Sequence, residues 1–248
     1  MKNLNANYLL FFSALILLLT TGCNKIDECI VSFEPVCQEI YSYDASFFKG
    51  TYLEDSLCLG ENNPNTFFYI TSYIAGRSKP GEPFPKPEQL VGHGAVFVMH
   101  YVVDDKSFEI DIKTPVYPLD SSFETIIDDV KLYLNKESIP MRYTNHSDIS
   151  TSDSSYYRID ATYDCHANDY SYTEVKSVSF AINDAKNDPR FDKDQYGRWI
   201  KVLEFEKKDL GDKIYYSILF DINVNLYVPY NTLGRLKGKF RVNGTIPK

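Results

Sequence analysis

The chain has 248 residues, with 34 acidic against 26 basic side chains and a net charge of −8. Such an acidic balance excludes nucleic acid as a partner, because no basic face is available to displace its counterions, and it excludes electrostatic adsorption to anionic lipid. Twenty Tyr and sixteen Phe, with many Val, Ile and Thr, favour strands over helices.

Residues 1–22 read as a secretory signal peptide. Lys2 supplies the positive start, and Tyr8 to Leu19 is an almost unbroken apolar run, too short for a comfortable membrane-spanning helix. Small residues Thr20, Thr21 and Gly22 then precede Cys23. Leu19-Thr20-Thr21-Gly22-Cys23 resembles the bacterial lipoprotein box, although Thr20 stands where that pattern usually has Leu. The resemblance implies cleavage before Cys23 and a diacylglycerol, with palmitate among its acyl chains, on the Cys23 sulfur. The acidic pair Asp27-Glu28 just behind it is similar to the surface-export signals of Bacteroidetes lipoproteins. What these residues imply is an outer-membrane lipoprotein, facing either the cell surface or the periplasm. No family resemblance extends into the rest of the chain.

Residues 23–48 read as the lipidated tether, and 49–248 as a single β domain. Gly50 to Leu53 begins the first strand, and Thr66 to Ala75 is the next. Pro80, Pro83, Pro85 and Pro87 then hold an extended loop over residues 76–88. Leu90 to Val103 is apolar on both faces at its centre, as a covered strand is, and Asp104-Asp105 turns it into Phe108 to Ile112. Ser121 to Glu124 has the spacing of a capping box, and Phe123, Ile126, Ile127 and Val130 follow helical spacing. One short helix is therefore expected over 122–131. Tyr157 to Tyr163, Val178 to Ile182 and Trp199 to Glu206 alternate as strands.

The strongest signal is Ile214 to Val228, in which every even position is apolar or aromatic and the odd positions are mostly polar. Period-two alternation predicts one buried and one wet face. A strand of about 50 Å, at about 3.3 Å per residue, must bend or be shared between sheets. Leu236 to Ile246 alternates to the end. The fold expected is all-β, an antiparallel β-sandwich with one short helix; a lipocalin-like β-barrel is the runner-up.

Four cysteines remain beyond Cys23: Cys29, Cys37, Cys58 and Cys165. An even number in an exported chain predicts up to two disulfides, with Cys29–Cys37 and Cys58–Cys165 the pairing favoured by loop length. Asp184, Asp188, Asp192 and Asp194 could gather around calcium in a β-loop. Asp192 to Gly197 is similar to the first half of an EF-hand loop, but Leu203 stands where its bidentate Glu belongs. The other reading is a solvated hairpin loop, and no other cofactor is implied. No nucleophile elbow, phosphate loop or paired metal-ligand spacing is present, so an enzyme is not expected. Tyr215, Tyr227 and Trp199 are the candidate ligand-binding aromatics, since flat rings stack on sugars and anchor protein contacts. The function expected is a non-catalytic, membrane-anchored binding module for a glycan or protein ligand; the alternative is a structural or adhesin-like surface protein.

Overall fold

The computed structural model describes residues 45–76, 86–135, 138–142, 156–167, 170–181, 191–228 and 231–248. Cys23, Cys29, Cys37, Asp184, Asp188 and most of the proline-rich loop lie outside them. The described residues form eleven strands and one α-helix. The strands are β1 (Phe47–Tyr52), β2 (Asp55–Gly60), β3 (Thr66–Gly76), β4 (Leu90–Val103), β5 (Lys106–Lys113) and β6 (Ile139–Arg142). They continue with β7 (Tyr156–Ala167), β8 (Tyr170–Ala181), β9 (Trp199–Asp209), β10 (Lys213–Val228) and β11 (Asn231–Pro247). The helix α1 is Phe123–Tyr133. Among the described residues no helix is long and apolar enough to cross a membrane.

All pairings are antiparallel, and the strands join into one open sheet in the order β2-β1-β11-β10-β8-β7-β5-β4-β3. Strand β6 pairs beside β8, and β9 pairs with β10 off that path. The end strands β2 and β3 do not pair with each other, so the barrel alternative is not what forms. Instead the sheet folds over itself as a sandwich. Ring contacts join strands that are not neighbours in the sheet: Tyr52 of β1 with Phe108 of β5 at 4.8 Å, and Phe97 of β4 with Phe220 of β10 at 5.3 Å.

The alternation in β10 decides this. Ile214, Tyr216, Ile218, Phe220, Ile222, Val224 and Leu226 are all buried in the common core. At about 1.5–3 kcal/mol each, seven such side chains contribute roughly 10–20 kcal/mol before chain entropy opposes them. The strand stays long because it serves both halves of the sandwich. One of its edges pairs with β11 throughout; the other pairs with β9 from Ile214 to Asn223 and meets β8 only at Tyr227↔Ser177. Register shifts at Leu219/Phe220 and Leu226/Tyr227 supply the bend that its length demands.

Turn chemistry fixes the hairpins. Asp104 takes a left-handed φ of 51° in the two-residue turn between β4 and β5, and Gly211, at φ 95°, does so between β9 and β10. The helix starts one residue later than the capping-box spacing suggests. Ser122, not Ser121, is the cap: its Oγ accepts from the Thr125 backbone N–H at 3.1 Å. Glu124 is therefore free of the box and forms an ion pair with Lys207 of β9 at 2.6 Å. Ile126, Ile127 and Val130 bury completely against the core. Asp128 accepts from the Tyr216 hydroxyl of β10 at 3.2 Å, so the helix is fastened to both strands of the long hairpin.

Candidate functional site

The site grows from the place where β10 changes partner. Strand β9 begins at Trp199, opposite Asn223, and the chain before it leaves the ladder. The preceding turn, a 3-10 segment at Lys193–Gln195, lies back across β10 on the side away from the core. Gln195, 1 % exposed, fills the resulting gap. Its Nε2 donates to the Asn225 carbonyl at 2.7 Å and its Oε1 accepts from the Asn225 N–H at 3.2 Å. One side-chain amide thus substitutes for a missing stretch of strand. The Asn225 side chain answers by donating to the Asp194 carbonyl at 2.8 Å, and it accepts from Arg198 Nε at 3.3 Å.

Gly197 turns the chain back into β9 with a φ of 66°, a conformation that other L-residues enter at a cost. This reversal leaves a pocket of about 280 Å³ lined by Phe191, Tyr196, Arg198, Trp199, Lys201 and the start of β6 at Ile139. That volume lies just below the roughly 300–1,000 Å³ range of drug-sized ligand sites and suits a group the size of one sugar ring. Phe191 and Tyr196 meet edge to face at 5.3 Å, and Tyr196 is 60 % exposed. The Trp199 indole N–H donates to Asp221 Oδ2 at 2.8 Å, which fixes the plane of the ring, and Lys201 Nζ sits 5.2 Å from its centroid. Among the described residues the wall holds two cations and no carboxylate.

Of the three aromatics expected to bind ligand, only Trp199 lies in this pocket. Tyr215 is half-buried at the other end of β10, about 26 Å away at about 3.3 Å per residue. It packs beneath Lys208, whose Nζ is 5.6 Å from its ring centroid. Tyr227 is fully buried and so is not on a wet face. The expectation of a solvated odd face on β10 is corrected with it: Ser217, Leu219, Asn223 and Asn225 are buried as well. The faces themselves are assigned correctly, since these residues point away from the core. At the far end of the strand the 192–198 segment covers them, bonding Asn223 and Asn225. Phe191, Tyr196, Arg198 and Lys201 were not singled out from the sequence. The signal present was an aromatic and cationic cluster around a glycine, within a stretch that its aspartates suggested for calcium.

Asp192 and Asp194 do not converge. Asp192 Oδ1 caps the 3-10 turn by accepting from the Asp194 N–H at 2.9 Å, and the Asp194 side chain is exposed. Among the described residues no three His, Cys, Asp or Glu side chains gather in a metal-holding arrangement. Cys58 and Cys165 are both disulfide-bonded. Cys58 stands opposite Lys49, on the face of β2 away from the core residues Leu57 and Leu59. Cys165 shares the inward parity of Tyr157, Ile159 and Ala161 on β7. Opposite faces disfavour a bridge between these two, against the pairing that loop length favoured. Non-reducing peptide mapping is expected to link each of them to a cysteine among the first 44 residues; a Cys58–Cys165 peptide would reverse this.

A second polar cluster lies on the outward face of β5, β7 and β8. Asp160, 1 % exposed, accepts from Arg158 Nε and from Ser177 Oγ at 2.5 Å each, and from Lys113 Nζ at 2.8 Å. Burial pushes the Asp160 carboxyl up, but the Arg158 and Lys113 charges and their hydrogen bonds outweigh it and hold it below the usual range. Asp111 differs. Burial pushes it up to about 7 against the pull of Lys113, with the Glu109 and Asp160 carboxylates adding to the rise. A carboxyl raised in the fold favours the protonated protein. Its contribution is complete below about pH 4 and is lost as pH rises through about 7. Asp111→Asn is therefore expected to stabilise the protein at pH 8 by on the order of 3 kcal/mol and to leave it unchanged near pH 4. Thermal melts at the two pH values measure this, and an equal effect at both would show that the fold does not raise the Asp111 carboxyl. The ion pairs and hydrogen bonds of this cluster join β5, β7 and β8.

Compared with known proteins, the chain matches no family model, no curated relative and no solved structure.

Proposed function

We propose that this chain is a lipid-anchored cell-envelope protein whose β domain is a non-catalytic binding module, and that its ligand is a glycan held in the Trp199 pocket. The observation that carries this reading is a rigidly held indole with two further aromatic rings around a sugar-sized pocket. Pyranose rings offer apolar C–H faces that stack on such rings, and their hydroxyls find the polar groups of the rim. Attachment through Cys23 would hold the domain at the outer membrane. Two acyl chains suffice for that, at about 0.8 kcal/mol per buried methylene.

The test uses the full-length chain in detergent micelles against a panel of neutral and acidic oligosaccharides. Tyr196→Ala is expected to weaken binding of any recognised glycan about tenfold, the worth of one stacking contact. Its melting temperature should hold, because the ring is mostly exposed. A blank across the panel would reject the glycan reading. In cells, Cys23→Ser should move the protein from the membrane fraction to the soluble one; retention at the membrane would reject the anchor.

A structural or adhesin-like role is favoured by one observation. Among the described residues β3 pairs only with β4, and it exposes Phe67 and Ile74, at 53 % and 62 %. Such an edge is open to strand addition. Sedimentation showing concentration-dependent self-association would support that role, and a strict monomer would argue against it.

A further inference from the structure

Resting on the glycan reading above, we infer that the Trp199 pocket selects an anionic saccharide, a sugar ring bearing a carboxylate or sulfate. The chain is acidic overall, yet the described wall of this pocket carries Arg198 and Lys201 and no carboxylate. Two other arginines meet acids, Arg158 with Asp160 and Arg241 with Glu204, whereas Arg235 donates its Nε to Asn223 Oδ1. Among the described residues Arg198 likewise meets only a neutral amide. Its Nε donates to Asn225 Oδ1 at 3.3 Å, which orients the guanidinium and leaves its two Nη groups to fork a planar anion.

Lys201 shows the same feature for a different reason. Its cross-strand neighbour on β10 is Asp221, the obvious partner. Asp221 instead spends an oxygen on the Trp199 indole at 2.8 Å, and the Lys201 ammonium lies over the indole ring. Two cations therefore flank an aromatic platform without being neutralised by the described chain. The net negative charge of the molecule does not oppose this. Its more distant charges are screened within about 8–10 Å at physiological salt, whereas contacts inside the pocket are not. A neutral sugar would use the aromatic faces and leave both cations unmatched; an acidic one uses all three elements.

The experiment titrates full-length chain in detergent with oligogalacturonate, oligomannuronate and a chondroitin sulfate fragment. Each uronate oligomer is compared with its carboxyl-reduced, neutral counterpart. The expected result is binding of at least one acidic oligosaccharide, about tenfold weaker after carboxyl reduction and weakening as salt rises. Lys201→Gln and Arg198→Gln should each lower acidic-glycan affinity about tenfold, one charge-assisted contact, and so shrink the preference for the acidic oligosaccharide over its neutral counterpart. Lys201 is exposed, so its variant reports binding without disturbing the fold. Binding of neutral oligosaccharides as tight as acidic ones, or wild-type affinity in both variants, would overturn the inference and leave the glycan reading standing. Absence of binding to every glycan would overturn both.

Discussion

Asp160→Ala is expected to cost about 3–5 kcal/mol, the penalty for breaking a buried ion pair by removing one partner. At about 2–4 °C per kcal/mol for a domain of this size, the melting temperature falls by roughly 6–20 °C. The carboxylate is 2 % exposed at its side chain and is the meeting point of Arg158, Lys113 and Ser177. Without it Arg158 keeps its bond to the Ser177 hydroxyl, at 3.2 Å from Nη2, but loses its carboxylate, and Lys113 turns to Asp111, 3.3 Å away. The Asp111 carboxyl should then titrate lower than in the wild type, because its cation is no longer shared. The pH dependence has the opposite sign to that of Asp111. Asp160 is lowered in the fold, so its contribution is present above about pH 4 and is lost as pH falls. Chemical denaturation at pH 7 and pH 3 measures both. A loss under 1 kcal/mol at pH 7 would mean that water screens the cluster. A triple change of Arg158, Lys113 and Asp160 to apolar residues should recover most of the stability, since the cations then need no partner.

Gln195→Ala is the second large effect. It strips the Asn225 N–H and C=O of their partners at a buried position where β9 has left and β8 has not yet arrived. Each unsatisfied buried group costs about 1–3 kcal/mol, so the expected loss for the two is about 2–6 kcal/mol. Gln195→Glu discriminates the cause. A carboxylate can still accept from the Asn225 N–H, but it cannot donate to the carbonyl and repels it. That variant should therefore be nearly as unstable as Ala at pH 7 and should recover as the carboxyl is protonated. The 192–198 segment also shapes the pocket, so both variants should lose ligand affinity along with stability. A Gln195→Ala protein with unchanged melting temperature would show that water satisfies Asn225 and that the amide is no surrogate strand.

Local pattern made most of the fold legible. Alternation gave the core-facing set of β10 residue by residue, apart from Val228 at its half-buried end, and left the burial of the opposite face unseen. Helical spacing placed α1 within two residues of its observed ends. These signals are strong because a core face must be apolar wherever it falls, and the period of the backbone writes that demand into the sequence. Strand β6 escaped notice for the converse reason: four residues are too few to display a period, and its pairing with Ala181 to Val178 of β8 is nonlocal.

The site was half legible. Trp199 was identified, but its companions were not, because neither Tyr196 nor Arg198 obeys a periodicity and nothing local says that they will face Lys201. Tyr227 was misread in the same way. Its parity is that of an outward residue, which is correct, and only the folded chain decides whether an outward face meets water or another segment. By itself the sequence determined which side chains the core would take, since the hydrophobic effect acts on each residue through its own surface. Where β10 exchanges one neighbour for another, what Gln195 must do there, and which cations stand unmatched beside Trp199 are set by tertiary structure alone. These depend on distances between segments far apart in the chain, and no local pattern encodes those distances.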